Sequence, residues 1–186
     1  MTCIIIAQAG CAPTTSQFFV KDYRVGGESK SYTETFDQAY YRMLGDGNVE
    51  IVLRRTAPGI DDSAEVTTQV IHLRSLWRSI PGTTVAESSQ INSAVCYMIE
   101  IGGSGATFEG TGSLFFNESK DGQTLTGSLD YALLKPTRRI GHGPAVFTRA
   151  ELRGTFTAQN DPRRTIRGIN QIERTFAAST ATNGRR

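Results

Sequence analysis

Large apolar side chains recur at every second position through much of this chain, and that period decides what it can fold into. From Leu125 to Leu133 the odd positions are Leu, Gly, Leu, Tyr and Leu, while the even positions are small or polar. A strand sends successive side chains to opposite faces, so such a run offers one face to a core and the other to water. Val146, Ala150, Leu152 and Phe156 share a face in the same way, opposite Arg149, Glu151, Arg153 and Thr155. Ile91, Val95, Tyr97, Ile99 and Ile101 repeat the pattern, as do Phe108, Leu114 and Phe116, and Val49, Ile51 and Leu53.

Turn-forming residues separate these runs. Gly45-Asp46-Gly47-Asn48 reads as a hairpin between Ala39–Leu44 and Val49–Arg54, and Gly102-Gly103-Ser104-Gly105 as another. Lys120-Asp121-Gly122 and Asn160-Asp161-Pro162 punctuate the later part, the second entering a final strand over Thr165–Phe176. Connections this short join antiparallel neighbours, because a parallel crossover needs a dozen or more residues. Glycines inside the runs (Gly110, Gly112, Gly127, Gly154, Gly168) weaken flat pairing and permit strong coiling. The expected fold is therefore all-β: an antiparallel meander of about eight or nine strands, closing into a small barrel or a coiled sandwich. Glu65–Ile80 fits helical spacing as well as strand alternation, and its β-favouring Val66-Thr67-Thr68 tips it to a strand. A short helix over Glu34–Arg42 is the other local alternative.

Composition excludes several classes. No apolar stretch approaches the roughly 18 residues of a membrane-spanning helix. A formal charge of +2 does not imply nucleic acid, and no aromatics interleave with the basic residues as a stacking platform requires. Three cysteines are too few for a disulfide scaffold and show no zinc-type spacing.

The first residues, Met1 to Pro13, combine a short apolar run with Gln8-Ala9-Gly10-Cys11 and then a polar Thr/Ser stretch. This segment resembles the end of a bacterial lipoprotein signal peptide, in which the peptidase cuts before a cysteine whose thiol is then lipidated. It departs from that pattern in having no basic n-region, a short apolar run, and Gln8 where an aliphatic residue is usual. The alternative is an edge strand or terminal segment over Cys3–Ala9. The resemblance implies residues 1–24 as leader and linker, Cys11 as the lipidated residue, and a lipid-anchored place in the bacterial cell envelope; without it the chain is expected to be soluble. Residues 25–176 form the single β domain, and residues 177–186, which lack periodicity, a frayed tail.

Chemistry-bearing residues are sparse. His72 and His142 have no second ligand-type residue at metal spacing, and no cofactor motif is present. The glycine run 102–105 is followed by a strand rather than the helix a phosphate loop needs. Cys96 reads as a small packed side chain, and Asp61-Asp62 as a solvated pair. Positive charge collects late in the chain. Arg149, Arg153, Arg163, Arg164 and Arg167 would form an anion-binding patch if adjacent strands brought them together, though Glu151 and Glu173 offer them partners and a solvated face is the plainer reading. If the sheet is hollow, Phe108, Phe116, Tyr131 and His142 would line its pocket. Two functions remain: an envelope-tethered, non-catalytic domain with a binding or assembly role toward an unknown protein or small molecule, and a small-ligand barrel of the lipocalin kind, with catalysis open.

Overall fold

The structure, a computed structural model, describes residues 15–23, 27–57, 66–77, 91–140 and 148–183, with side chains as far as 177. The strands are β1 (Ser16–Tyr23), β2 (Ser29–Phe36), β3 (Gln38–Met43), β4 (Val49–Ala57), β5 (Thr67–Ser75), β6 (Ser93–Ile101), β7 (Ser104–Glu118), β8 (Thr124–Ile140) and β9 (Arg149–Asn160). A helix, α1 (Pro162–Asn183), follows. The protein is all-β, as the alternation predicts, with this one helix added. Glu65–Ile80 contains strand β5, and Glu34–Arg42 is taken up by β2 and β3 with a break at Asp37.

The strands form one sheet in the order β2-β1-β9-β3-β4-β5-β6-β7-β8, and a second pairing of β8 with β9 closes β3 to β9 into a ring of seven. From β3 to β9 each strand pairs antiparallel with the next, the expected meander. The closure itself is the exception, since β3 meets β9 in parallel through Tyr40↔Gln159 and Tyr41↔Asn160. β9 has room for this because its first half, Arg149–Thr155, is occupied by β1 and only its end reaches β3. Among the described residues the sheet begins at Ser16, and the linker expected to run to Arg24 instead supplies strand β1; the edge strand considered over Cys3–Ala9 lies outside them. Cys11 and His142 lie outside the described residues.

Coiling this tight brings backbones close. A Cβ on Gly154 would lie 2.3 Å from the carbonyl oxygen of Gln17 and 2.7 Å from the Phe18 ring, so β1 can cross β9 there only over glycine. In β8 the pairing slips between Leu129 and Ala132, a bulge that turns both Asp130 and Tyr131 outward.

The inner face holds the main core: Phe18, Val20, Phe36, Ile51, Leu53, Ile71, Leu73, Val95, Tyr97, Phe108, Leu134, Leu152 and their neighbours. Each large side chain so buried stabilises the fold by about 1.5–3 kcal/mol relative to exposure.

The segment expected as a last strand over Thr165–Phe176 is helical, and α1 continues to Asn183 through residues expected to be a tail. Asp161 caps it: its Oδ1 accepts from the Arg164 amide at 2.9 Å, and Pro162 occupies the first helical position, where no amide is needed. Thr165, Gly168, Ile172 and Phe176 then fall on one buried stripe at helical spacing. That stripe covers the outer face of the ring, where Ile172 and Phe176 join Val52, Val70 and Met98 in a second apolar cluster.

Candidate functional site

At the end of the ring where β4 finishes and β5 begins, the inward positions change from apolar to polar. Arg55 lies opposite Gln69 in the β4–β5 register and Ile71 opposite Tyr97 in β5–β6, so consecutive inner-face positions place these three side chains together. The Tyr97 hydroxyl donates to Gln69 Oε1 at 3.1 Å and shares a hydrogen bond with Tyr32 from β2. Glu34 of β2 pairs with Arg55 of β4, an ion pair across two strands that are not neighbours in the sheet. Tyr97 is fully buried, which raises its phenol well above the ordinary value, an effect that Tyr32 adds to. It is a neutral hydrogen-bonding group at physiological pH. The cluster gathers a cation, an anion and neutral donors and acceptors at one end of the ring, with Arg55 the part most open to water.

The residues expected to line a pocket do not gather there as a set. Phe108 is buried on the inner face with its ring 6.4 Å from that of Tyr97, and Phe116 is packed against the same core. Tyr131 is 48% exposed on the outer face, turned out by the bulge in β8.

The five arginines also divide. Arg149 and Arg153 share the outer face of β9, where their guanidinium groups stack on Tyr23 and Phe19 at 4.9 and 4.7 Å. Glu151 between them accepts from the Tyr23 hydroxyl. Arg163, Arg164 and Arg167 are on α1, beyond roughly 23 Å of strand from Arg153 at about 3.3 Å per residue. No single patch of five forms. Glu173 pairs instead with Arg138 of β8, Nη1 to Oε2 at 3.0 Å, so its carboxyl is held below the usual range.

A second grouping takes their place. Arg164 and Arg167 line a groove of about 380 Å³ with Gln38, Tyr40, Arg54, Gly168 and Gln171. Arg164 stacks on the Tyr40 ring at 5.0 Å and donates from Nη1 to its hydroxyl at 2.7 Å, while its Nε lies 3.3 Å from Asp161 Oδ2. Arg54 Nε is buried with no hydrogen-bond partner among the described residues. Sequence reading missed Arg54 because its place in the groove depends on α1, whose residues it took for a strand. The signal was there in Asp161-Pro162 and the spacing of Thr165, Ile169, Ile172 and Phe176.

Beneath α1, His72 and Cys96 are paired positions on β5 and β6. Their environment disfavours a thiolate–imidazolium pair. Burial, with Glu109 nearby, pushes the Cys96 thiol up to about 12, and burial holds His72 below its ordinary value. A thiolate–imidazolium pair needs the opposite shifts. Among the described residues no three His, Cys, Asp or Glu side chains come together as metal ligands. No helix among them is long and apolar enough to cross a membrane.

Comparison with protein-family models, curated proteins and solved structures finds no match to this chain.

Proposed function

We propose that this protein is a binding protein of the bacterial envelope, tethered through Cys11, that takes a small carboxylate or polyhydroxyl compound at the polar mouth of its strand ring. One observation carries the binding role. Arg55, Glu34, Gln69, Tyr97 and Tyr32 face inward at one end, an ion pair set beside three neutral polar side chains. Burying polar groups costs free energy even when they are paired, as these are, and an ion pair is often no more stabilising than apolar packing, so a core alone does not call for this cluster. Replacing Glu34 on Arg55 by a ligand carboxylate keeps the guanidinium paired throughout. The tether is supported by Gln8-Ala9-Gly10-Cys11 and by the start of β1 only five residues beyond Cys11.

The tether is tested by palmitate labelling and membrane fractionation of cells expressing the wild type and Cys11→Ala. Label and membrane association lost in the variant are expected; an unlabelled, soluble wild type overturns the anchor. The mouth is tested by NMR titration of the wild type and Arg55→Gln with a panel of small carboxylates, sugars and polyols. Shifts confined to Tyr32, Gln69 and Tyr97 and lost in the variant are expected, and a panel that leaves these residues unmoved overturns the site.

A further inference from the structure

We propose that the groove between α1 and the outer face of β3–β4 binds a phosphate ester, with Arg54, Arg164 and Arg167 as its cationic ligands. This site is separate from the mouth, because Arg54 and Arg55 project to opposite faces of β4 and only Arg55 points into the ring; it does not rest on the function proposed above.

Three guanidinium groups line the groove, and none of its lining residues is acidic. The carboxylate beside it, Asp161, is already engaged by the Arg164 amide and the Arg164 Nε. One carboxylate against three guanidinium groups leaves a net positive charge at the groove, which a bound anion would offset. Arg54 adds a specific vacancy for an acceptor. Its Nε is removed from water and has no partner among the described residues, and an unsatisfied buried donor on a charged group is the costly kind. The Arg54 side chain would have to turn outward for that nitrogen to meet an acceptor in the groove.

The chemistry of the occupant follows from charge and room. A carboxylate brings one negative charge, whereas a phosphate monoester brings about −1.5 to −2 near neutral pH and three strong acceptor oxygens, the better match to three arginine forks. At about 380 Å³ the groove falls in the range of small-molecule sites, about 300–1,000 Å³, leaving space for the esterified group. Gln38, Gln171 and the Tyr40 hydroxyl supply neutral polar contacts there. The walls are fixed. Gly168 lets α1 approach Val52 closely, and Arg164 is held flat on Tyr40.

The phosphate ester is either a soluble metabolite or a lipid headgroup, and Cys11 lies near enough along the chain to β1 that both sources are worth separating. The experiment uses full-length Cys11→Ala protein, so that an acyl chain does not contribute to partition. Glycerol 3-phosphate is titrated by calorimetry, and sedimentation is measured with vesicles of phosphatidylcholine with and without phosphatidic acid, whose headgroup is a phosphate monoester. We expect saturable glycerol 3-phosphate binding that weakens about tenfold in Arg167→Gln, whose side chain is exposed on α1. Arg54→Lys keeps the charge and loses the fork, and is expected to weaken binding as well. Partition that also needs phosphatidic acid and Arg167 supports the site with a lipid source; soluble binding without partition supports it with a metabolite source. No binding of either probe, or binding indifferent to both variants, overturns it.

Discussion

At Gly168 the shape of the sheet dictates the residue. A Cβ there would lie 2.5 Å from Val52 Cγ1, and valine is stiff at χ1, so it cannot turn aside. Gly168→Ala gains about 1 kcal/mol of helix propensity and incurs about 1–3 kcal/mol of overpacking. We expect net destabilisation in urea unfolding, together with a weaker response to glycerol 3-phosphate as α1 is lifted from β4. His72 gives a second test at this scale. Its folded value lies below the ordinary 6.5 because burial disfavours the imidazolium, with Arg74 and Arg42 adding to this and Glu50 opposing. The unfolded chain then binds the extra proton more readily, so stability is present above pH 6.5 and falls as the pH drops through the window beneath it. His72→Gln should flatten that part of the pH–stability curve and leave the lower carboxylate part, to which the Glu173–Arg138 pair contributes, in place. Side chains such as Phe108 and Val95 could be placed from the sequence because period two fixes their face. Arg54 and Arg55 could not, since an arginine suits a solvated face, a groove and a mouth equally.

Elements differ in how plainly their sequences announce them. The strands of the second half were legible because their alternation is uninterrupted and their turns are glycine-rich, as at Gly102 and Gly103, where φ is positive. α1 was not. Its polar face carries Arg163, Arg164, Arg167 and Arg174, its buried stripe includes Thr165 and Gly168, and only Ile172 and Phe176 are large and buried. So weak an apolar stripe resembles a solvated strand, and what identifies the helix is its cap. Asp161→Ala removes the acceptor for the Arg164 amide and is expected to cost about 1 kcal/mol. Phe176→Ala empties a position packed against Val52, Val70 and Met98 and should cost about 3–5 kcal/mol. Chemical denaturation ranks the two. If Phe176→Ala proves the milder, α1 is a loosely held appendage rather than the lid of the second cluster.

For the whole molecule, the ring depends on how β3 meets β9, because that seam has two paired positions where other seams have six or more. Tyr41 reinforces it. Its carbonyl accepts from the Asp161 amide at 3.1 Å, and its hydroxyl reaches across to Glu118 Oε1 at 3.0 Å and the Gly122 carbonyl at 2.8 Å, tying β3 to the β7–β8 turn. Burial, and then Glu118, raise this phenol from 10.0 to about 12. Tyr97 and Cys96 are raised too, so three groups in different layers favour their protonated forms in the folded state. The sign is common to all three: a group raised in the folded state contributes fully below its unfolded value, and that contribution is lost as the pH rises toward the folded one. Stability should therefore decline steadily above about pH 9 to 10. Tyr41→Phe is expected to cost about 1–3 kcal/mol at pH 7, by leaving Glu118 and Gly122 without their donor, and to make the alkaline decline shallower. Thermal melts from pH 7 to 11 separate the two effects. A variant that melts lower at pH 7 yet loses stability as steeply as the wild type would mean that Tyr97 and Cys96 govern the alkaline limit, whereas one that melts with the wild type at pH 7 would mean that the seam is held by its backbone pairs alone.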